Sequence, residues 1–375
     1  MSEKTRYASV GEISYERSER IDSPSTSEIK RFVGLEHFDQ GNLDIVRFGS
    51  CVDLGSTMKK CVAGDTLIAR RNVYLNRASR CNFDALCSGD AIVLRENECV
   101  VPGFLSILFN SDSFWKFASS NADGTMSKRL SVSHLKSYEF CLPSVENQKK
   151  FVDLIWKLEN LKTKLVMELE NLNLLIKSQF IEMFGDVVFN PMCWPTKEIS
   201  KVAPSTNGEN TSDEEHNWLL NLDAIEANTG IVLFKNYVSS EELSGSIISF
   251  SEDHVLYSKL RPYLNKVVMP DESGFGTSEL IPLLPDVSIL NRTYLARALM
   301  SDTFVQKFTS AVAGTKMPRV LMDTFRKFLL PLPPIDLQIQ FADFVKQVDK
   351  SKLDSEFDLI NLYQNHYFCN AGVLI

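Results

Sequence analysis

One stretch of this 375-residue chain is written twice, 190 positions apart. Ser111-Asp112-Ser113-Phe114 returns as Ser301-Asp302-Thr303-Phe304. Gly124-Thr125 followed by Arg129 returns as Gly314-Thr315 followed by Arg319. Leu142-Pro143 followed by Gln148 and Phe151 returns as Leu332-Pro333 followed by Gln338 and Phe341. The spacing holds without a gap, so a whole unit has been copied. Solenoid repeats run at roughly 20–50 residues, so this period describes a domain plus its connector. Two similar, diverged domains in tandem suit a molecule that grips something at two places.

Length agrees with two or three domains. No apolar run of ~18 residues is present, which argues against a membrane-spanning helix. The start, Met1 to Arg6, lacks the apolar stretch of a signal peptide, so a cytoplasmic location is expected. The eight cysteines form no Cys-x-x-Cys pair and the five histidines no close cluster, so no metal site is expected. Net charge is −8, but its distribution matters more. Residues 1–143 carry 18 basic and 18 acidic side chains, whereas residues 187–332 carry 13 and 17. A neutral domain binds nucleic acid if its cations gather on one face.

The texture along the chain sets the domains. Residues 1–143 read as mixed α/β, with strand-like runs at Thr66–Ala69 and Ala91–Leu94. Val101 to Ser119 reads as a helix, and Ile21 to Lys30 as a surface loop. From Ser144 to Phe184 there is neither Pro nor Gly. Leu154, Leu158, Leu161, Leu165, Leu169, Leu172, Ile176 and Phe180 recur there at steps of three or four. That is one amphipathic helix of ~40 residues, ~60 Å long, stopping at Gly185. Asn190-Pro191 is a turn. Residues 187–333 repeat the first domain, with Asp253 to Lys266 similar to Asp65 to Arg77. A second helix starts at Ile335; its stripe weakens after Leu353, and Cys369 to Gly372 are expected to break it. Each long helix needs a partner for its stripe, and the duplication offers the other one. The expected domains are therefore 1–143, 144–186, 187–333 and 334–375. The fold class is α+β: two mixed α/β domains separated by two long antiparallel coiled-coil helices, related by an approximate two-fold axis.

No dinucleotide-binding glycine motif, P-loop or nucleophile signature is present. Cations are more telling. Arg70, Arg71, Arg77 and Arg80 surround one strand and turn, interleaved with Tyr74 and Asn76; Lys259, Arg261 and Lys266 surround its copy, with Tyr263 and Asn265. Arg and Lys suit phosphates and guanine edges, and Asn suits adenine. The competing explanation is an edge strand protected by charge. The second shared element is the Gly-Thr turn with Lys128 and Arg129, copied with Lys316 and Arg319. Its backbone N–H groups and cations suit phosphate, or its arginine simply packs on a neighbouring helix.

Taken together, this layout resembles the specificity subunits of bacterial type I restriction-modification systems. The resemblance rests on Leu142-Pro143 to Gln148, Leu332-Pro333 to Gln338, Ile176 to Asp186, Leu256 to Lys266, and Gly314-Thr315 with Arg319. It covers nearly the whole chain. It implies a non-catalytic subunit whose two target-recognition domains each read half of a split, asymmetric DNA site. The helices would set the gap and dock two methyltransferase (M) subunits. S-adenosylmethionine, ATP and Mg would belong to those partners and to restriction (R) subunits, with no cofactor in this chain and no membrane partner. Two rival readings are a coiled-coil scaffold carrying two protein-binding domains, and a self-sufficient nuclease or methyltransferase.

Overall fold

In the computed structural model the chain divides into two compact units, residues 1–166 with 357–375, and residues 167–356. The structure describes residues 6–373 apart from 53, 125–126, 210–213, 215, 244 and 314–316; side chains of 313 and 356–373 are not described.

In the first unit a four-stranded antiparallel sheet runs in the order Ser14–Glu16, Ala91–Glu96, Asp65–Ala69, Ala78–Cys81. The two central strands are buried on both faces over Asp65–Ala69 and residues 91–94, where they pair Ile92 with Ile68. A second sheet runs Arg20–Ile21, Met58–Cys61, Ala85–Cys87, Arg31–Val33, Gly49–Ser50, with Arg31–Val33 parallel to Ala85–Cys87. A short ribbon joins Arg6–Ser9 to Glu139–Leu142.

The second unit has the same plan. Val255–Ser258 lies between Val267–Val268 and Leu280–Leu283. Asn217–Leu220 is parallel to Gly274–Thr277, as in the first unit's second sheet. Thr196–Glu198 pairs with Leu329–Pro331. The register corrects one alignment. Asp65 corresponds to His254 rather than to Asp253, and both are buried and hold the same local turn. The Asp65 carboxylate accepts from Val62 N at 2.8 Å, and His254 Nδ1 accepts from Ser251 N at 3.0 Å.

Val145–Phe184 is a single 40-residue helix, as its periodicity requires. It ends at Gly185, whose φ of +74° only glycine adopts freely, and a Cβ there would meet Pro191 at 2.9 Å. The second long helix spans Ile335–Val373. It runs through Cys369 to Gly372 instead of breaking there, because an isolated glycine costs a helix only ~1 kcal/mol. Val101 to Ser119 is not one helix. Gly103 has φ +91°, and Ser111 caps a fresh start, giving Phe104–Leu108 and Asp112–Ser120. The amphipathic spacing survives the break, which is why the pattern concealed it. Within Ile21 to Lys30, Pro24–Thr26 forms a 3₁₀ turn with Pro24 buried.

The repeated Leu-Pro…Gln signature now has a mechanical meaning. Gln148 accepts from Val101 N at 3.0 Å and donates to Pro143 O at 2.9 Å and Cys99 O at 3.4 Å. Gln338 accepts from Asn291 N at 2.8 Å and donates to Pro333 O at 2.7 Å and Ile289 O at 3.1 Å. Both side chains are buried, and a primary amide supplies an acceptor oxygen and two N–H donors together without charge. Each glutamine thus fixes the start of a long helix to its own domain. In the second unit Phe341 also packs on Phe180 and Phe184, ring centroids 5.5 and 5.3 Å away. Such pairs add about 0.5–1.5 kcal/mol each beyond burial.

Candidate nucleic-acid interface

In each unit a strand leads into a tight turn bracketed by two left-handed residues. Asn72 and Asn76 flank Val73–Leu75, with φ 55° and 47°. Arg261 and Asn265 flank Pro262–Leu264, with φ 50° and 47°. Asparagine tolerates this conformation; arginine does so at a cost. The turn lifts one aromatic ring to its tip: Tyr74 is 69% exposed and Tyr263 48%.

The two elements, far apart in the sequence, form one site. Asn72 N donates to Lys128 O at 2.9 Å, and Leu130 N to Arg70 O at 2.9 Å. In the copy, Arg261 N donates to Pro318 O at 2.8 Å, and Val320 N to Lys259 O at 2.9 Å. Arg71 bridges Arg129 in one unit and Leu260 bridges Arg319 in the other. Each unit therefore presents a backbone-zipped platform that carries a tyrosine and several cations.

The side chains do not all face out. Arg71, Arg129 and Arg319 are roughly half exposed, and Lys128 and Arg261 are exposed. Lys259 and Arg70 are partly exposed; the Arg70 Nε is buried without a partner among the described residues. Arg77 is turned inward, donating to Leu35 O at 2.9 Å and Arg71 O at 3.3 Å, and burial lowers its pKa. Lys266 donates to Leu222 O at 2.6 Å. Asn265 is buried and donates to Met300 O at 3.0 Å, while Asn76 is partly buried. Arg80 bonds Asp44 at 3.2 Å and lies 4.4 Å from the Trp156 ring. These inward residues build the turn rather than line its surface, because a strand end sends alternate side chains to opposite faces. Lys316 and the Gly314-Thr315 pair lie outside the described residues, as does Thr125.

Two residues escaped the sequence reading. Asp90 pairs with Arg71 at 3.2 Å and lies 3.9 Å from Arg129. Glu279 takes Arg319 in a two-pronged pair, Nη2 at 2.8 Å and Nε at 3.1 Å. The hydrogen bond and charge of Arg319 hold the Glu279 carboxyl below the usual carboxylate range. Their signal was present: Asp90 and Glu279 are 189 residues apart, in register with the turns. Their backbone carbonyls also match, accepting from Arg70 N and Lys259 N at 3.0 Å each. Among the described residues no group of His, Cys, Asp and Glu could hold a metal ion, and no helix is long and apolar enough to cross a membrane.

Residues 191–362 match the family described as the type I restriction modification DNA specificity domain. The EcoDI specificity subunit of Escherichia coli is 24% identical over 124 residues, 33% of this chain; the match spans about a quarter (27%) of that curated relative. A chain from a structure described as bearing on complex assembly and conformational transition of the type I R-M system superposes with a TM-score of 0.58 at 18% identity, covering 98% of this chain and 97% of that one. The type I restriction-modification S subunit from M. genitalium superposes with a TM-score of 0.58 at 10% identity, covering 99% and 96%. Residues 191–362 are thus similar to the type I restriction modification DNA specificity domain, in a chain whose fold is similar to that of a type I S subunit along nearly its whole length.

Proposed function

We propose that this chain is the DNA-sequence-recognition subunit of a type I restriction-modification enzyme. Residues 1–143 and 187–333 each read one half of a bipartite, asymmetric double-stranded site. The helical segments 144–186 and 334–375 form an antiparallel coiled-coil spacer that relates the two domains by an approximate two-fold axis, sets the gap and docks two M subunits. R subunits join that complex. Methyl transfer and cleavage, with S-adenosylmethionine, ATP and Mg, belong to the partners.

The observation that carries this reading is the platform built twice, with a tyrosine at its tip and exposed cations beside it. Lys128, Arg129, Arg70 and Arg71 supply the charge in the first domain; Lys259 and Arg261 supply it in the second, with Lys316 as an expected addition, and Arg319 adds a guanidinium fork paired with Glu279. Tyr74 and Tyr263 offer an apolar ring and a hydroxyl to the groove. Arg77, Lys266, Asn76 and Asn265 shape the turns that hold those groups. The sequences at the two platforms differ, so the half-sites differ. Loss of a phosphate contact weakens binding to every sequence and lowers the salt slope by about 1; loss of a base contact relaxes one position. Lys259→Ala and Arg261→Ala are therefore expected to weaken duplex binding and flatten its salt dependence. Unchanged affinity and slope in both variants would remove these residues from the interface.

A further inference from the structure

The carboxylate beside each platform is unexpected in a surface meant for a polyanion, and the two units arrange it differently. Glu279 engages Arg319 through the Nε edge, with Nε at 3.1 and 3.2 Å from its two oxygens and Nη2 at 2.8 Å. Arginine has five N–H donors. The two on Nη1 and the second on Nη2 stay free, and Arg319 Nη1 has no partner among the described residues. The free end is still a fork, the shape that matches guanine O6 and N7. A phosphate brought to this fork would meet the Glu279 carboxylate at close range, whereas a guanine edge is neutral and meets no such repulsion.

In the first unit Asp90 is one methylene shorter. It binds Arg71 Nη1 at 3.2 Å and reaches Arg129 Nη2 only at 3.9 Å, so one anion is shared by two arginines. That cluster keeps a net positive charge.

We propose that Arg319 reads a guanine in the half-site of the second domain, and that Glu279 is the residue that positions it. This rests on the DNA-recognition reading above and adds to it which arginine reads a base and how its fork is aimed. Arg71 and Arg129, sharing Asp90, are left to the phosphates of the other half-site. Glu279 acts by locking the guanidinium plane and by cancelling its charge, which trades non-specific attraction for discrimination.

The test is selection by the full chain from a duplex library randomised across two half-sites and their gap, at fixed salt. It uses wild type, Arg319→Lys, Arg319→Ala and Glu279→Gln. Lysine keeps the charge and loses the fork. Wild type is expected to enrich a split motif with a fixed G·C pair in one half. Arg319→Lys should lower discrimination at that pair about 10- to 100-fold, with other positions intact. Glu279→Gln should relax the same pair while binding random duplex more tightly and with a steeper salt slope. If both variants leave every motif position as sharp as before, or if Arg319→Lys leaves binding unchanged while Arg319→Ala weakens all sequences alike, Arg319 is a phosphate contact and the inference fails. If wild type enriches no motif at all, the recognition reading fails first and this inference with it. Should Arg319→Lys not fold, the Glu279→Gln motif decides alone.

Discussion

The buried Gln338 amide makes the sharpest quantitative prediction. Gln338→Ala leaves three groups without partners: Asn291 N–H, Pro333 C=O and Ile289 C=O. Each orphaned buried group costs ~1–3 kcal/mol, less whatever a water entering the space recovers. A loss of about 3–4 kcal/mol for the second unit follows. A unit of this size unfolds with an m-value of ~2 kcal/mol/M in urea, so its midpoint should fall by about 1.5–2 M. The chain has two units, so a single global midpoint is not meaningful. Hydrogen exchange read by mass spectrometry along a urea series separates them. Peptides from 187–333 should lose protection at lower urea, and peptides from 1–143 should not. Gln148→Ala should do the reverse. A midpoint shift below ~0.3 M, or equal shifts in both units, would refute the clamp argument.

Arg261→Asn replaces a strained left-handed arginine with the residue type found at Asn72; stability should rise by ~0.5–1 kcal/mol while DNA affinity falls, measured by urea midpoint and duplex titration. Gly185→Ala should destabilise the second unit by ~1–3 kcal/mol, because its φ is positive and Pro191 Cγ stands 2.9 Å from the new Cβ. His254 is buried, and burial pushes its pKa below the usual imidazole range. Its neutral form accepts from Ser251 N and donates to Thr206 O. A lowered folded pKa contributes stability above the unfolded value of ~6.5 and loses it as pH falls, so the second unit should weaken as pH falls below about 6.5 and His254→Gln should flatten that slope. The lowered Glu279 pKa gives a second, more acidic loss below about pH 4.3, which Glu279→Gln should remove.

Much of the architecture was legible because it rests on periodicity and repetition. The long helix Val145–Phe184 declares itself by apolar steps of three and four with no breaker inside. The repeat survives as strand order because buried strands tolerate little beyond apolar exchange. What stayed hidden was orientation. Arg77 and Arg71 look alike in the sequence, yet one donates to backbone carbonyls and the other is roughly half exposed; that depends on strand phase and on where Leu35 O lies, 42 residues away. Asp90 and Glu279 were missed because an acid counts against nucleic acid in a charge tally, whereas beside an arginine it aims a fork. The helix over Val101 to Ser119 was misread because its break at Gly103 and Ser111 keeps the apolar face aligned. Gln148 and Gln338 stood in the repeat from the start, but only three-dimensional contacts reveal that they clamp helix to domain.

The central claim is that this chain chooses a split DNA sequence for a methyltransferase. Its most direct test is single-molecule sequencing of adenine methylation in the host genome, with the chain intact, deleted, and restored, in cells whose co-purifying methyltransferase is active. The account predicts that one asymmetric, interrupted motif loses methylation on deletion and regains it on restoration. A methylation pattern that is unchanged by deletion under those conditions would contradict it.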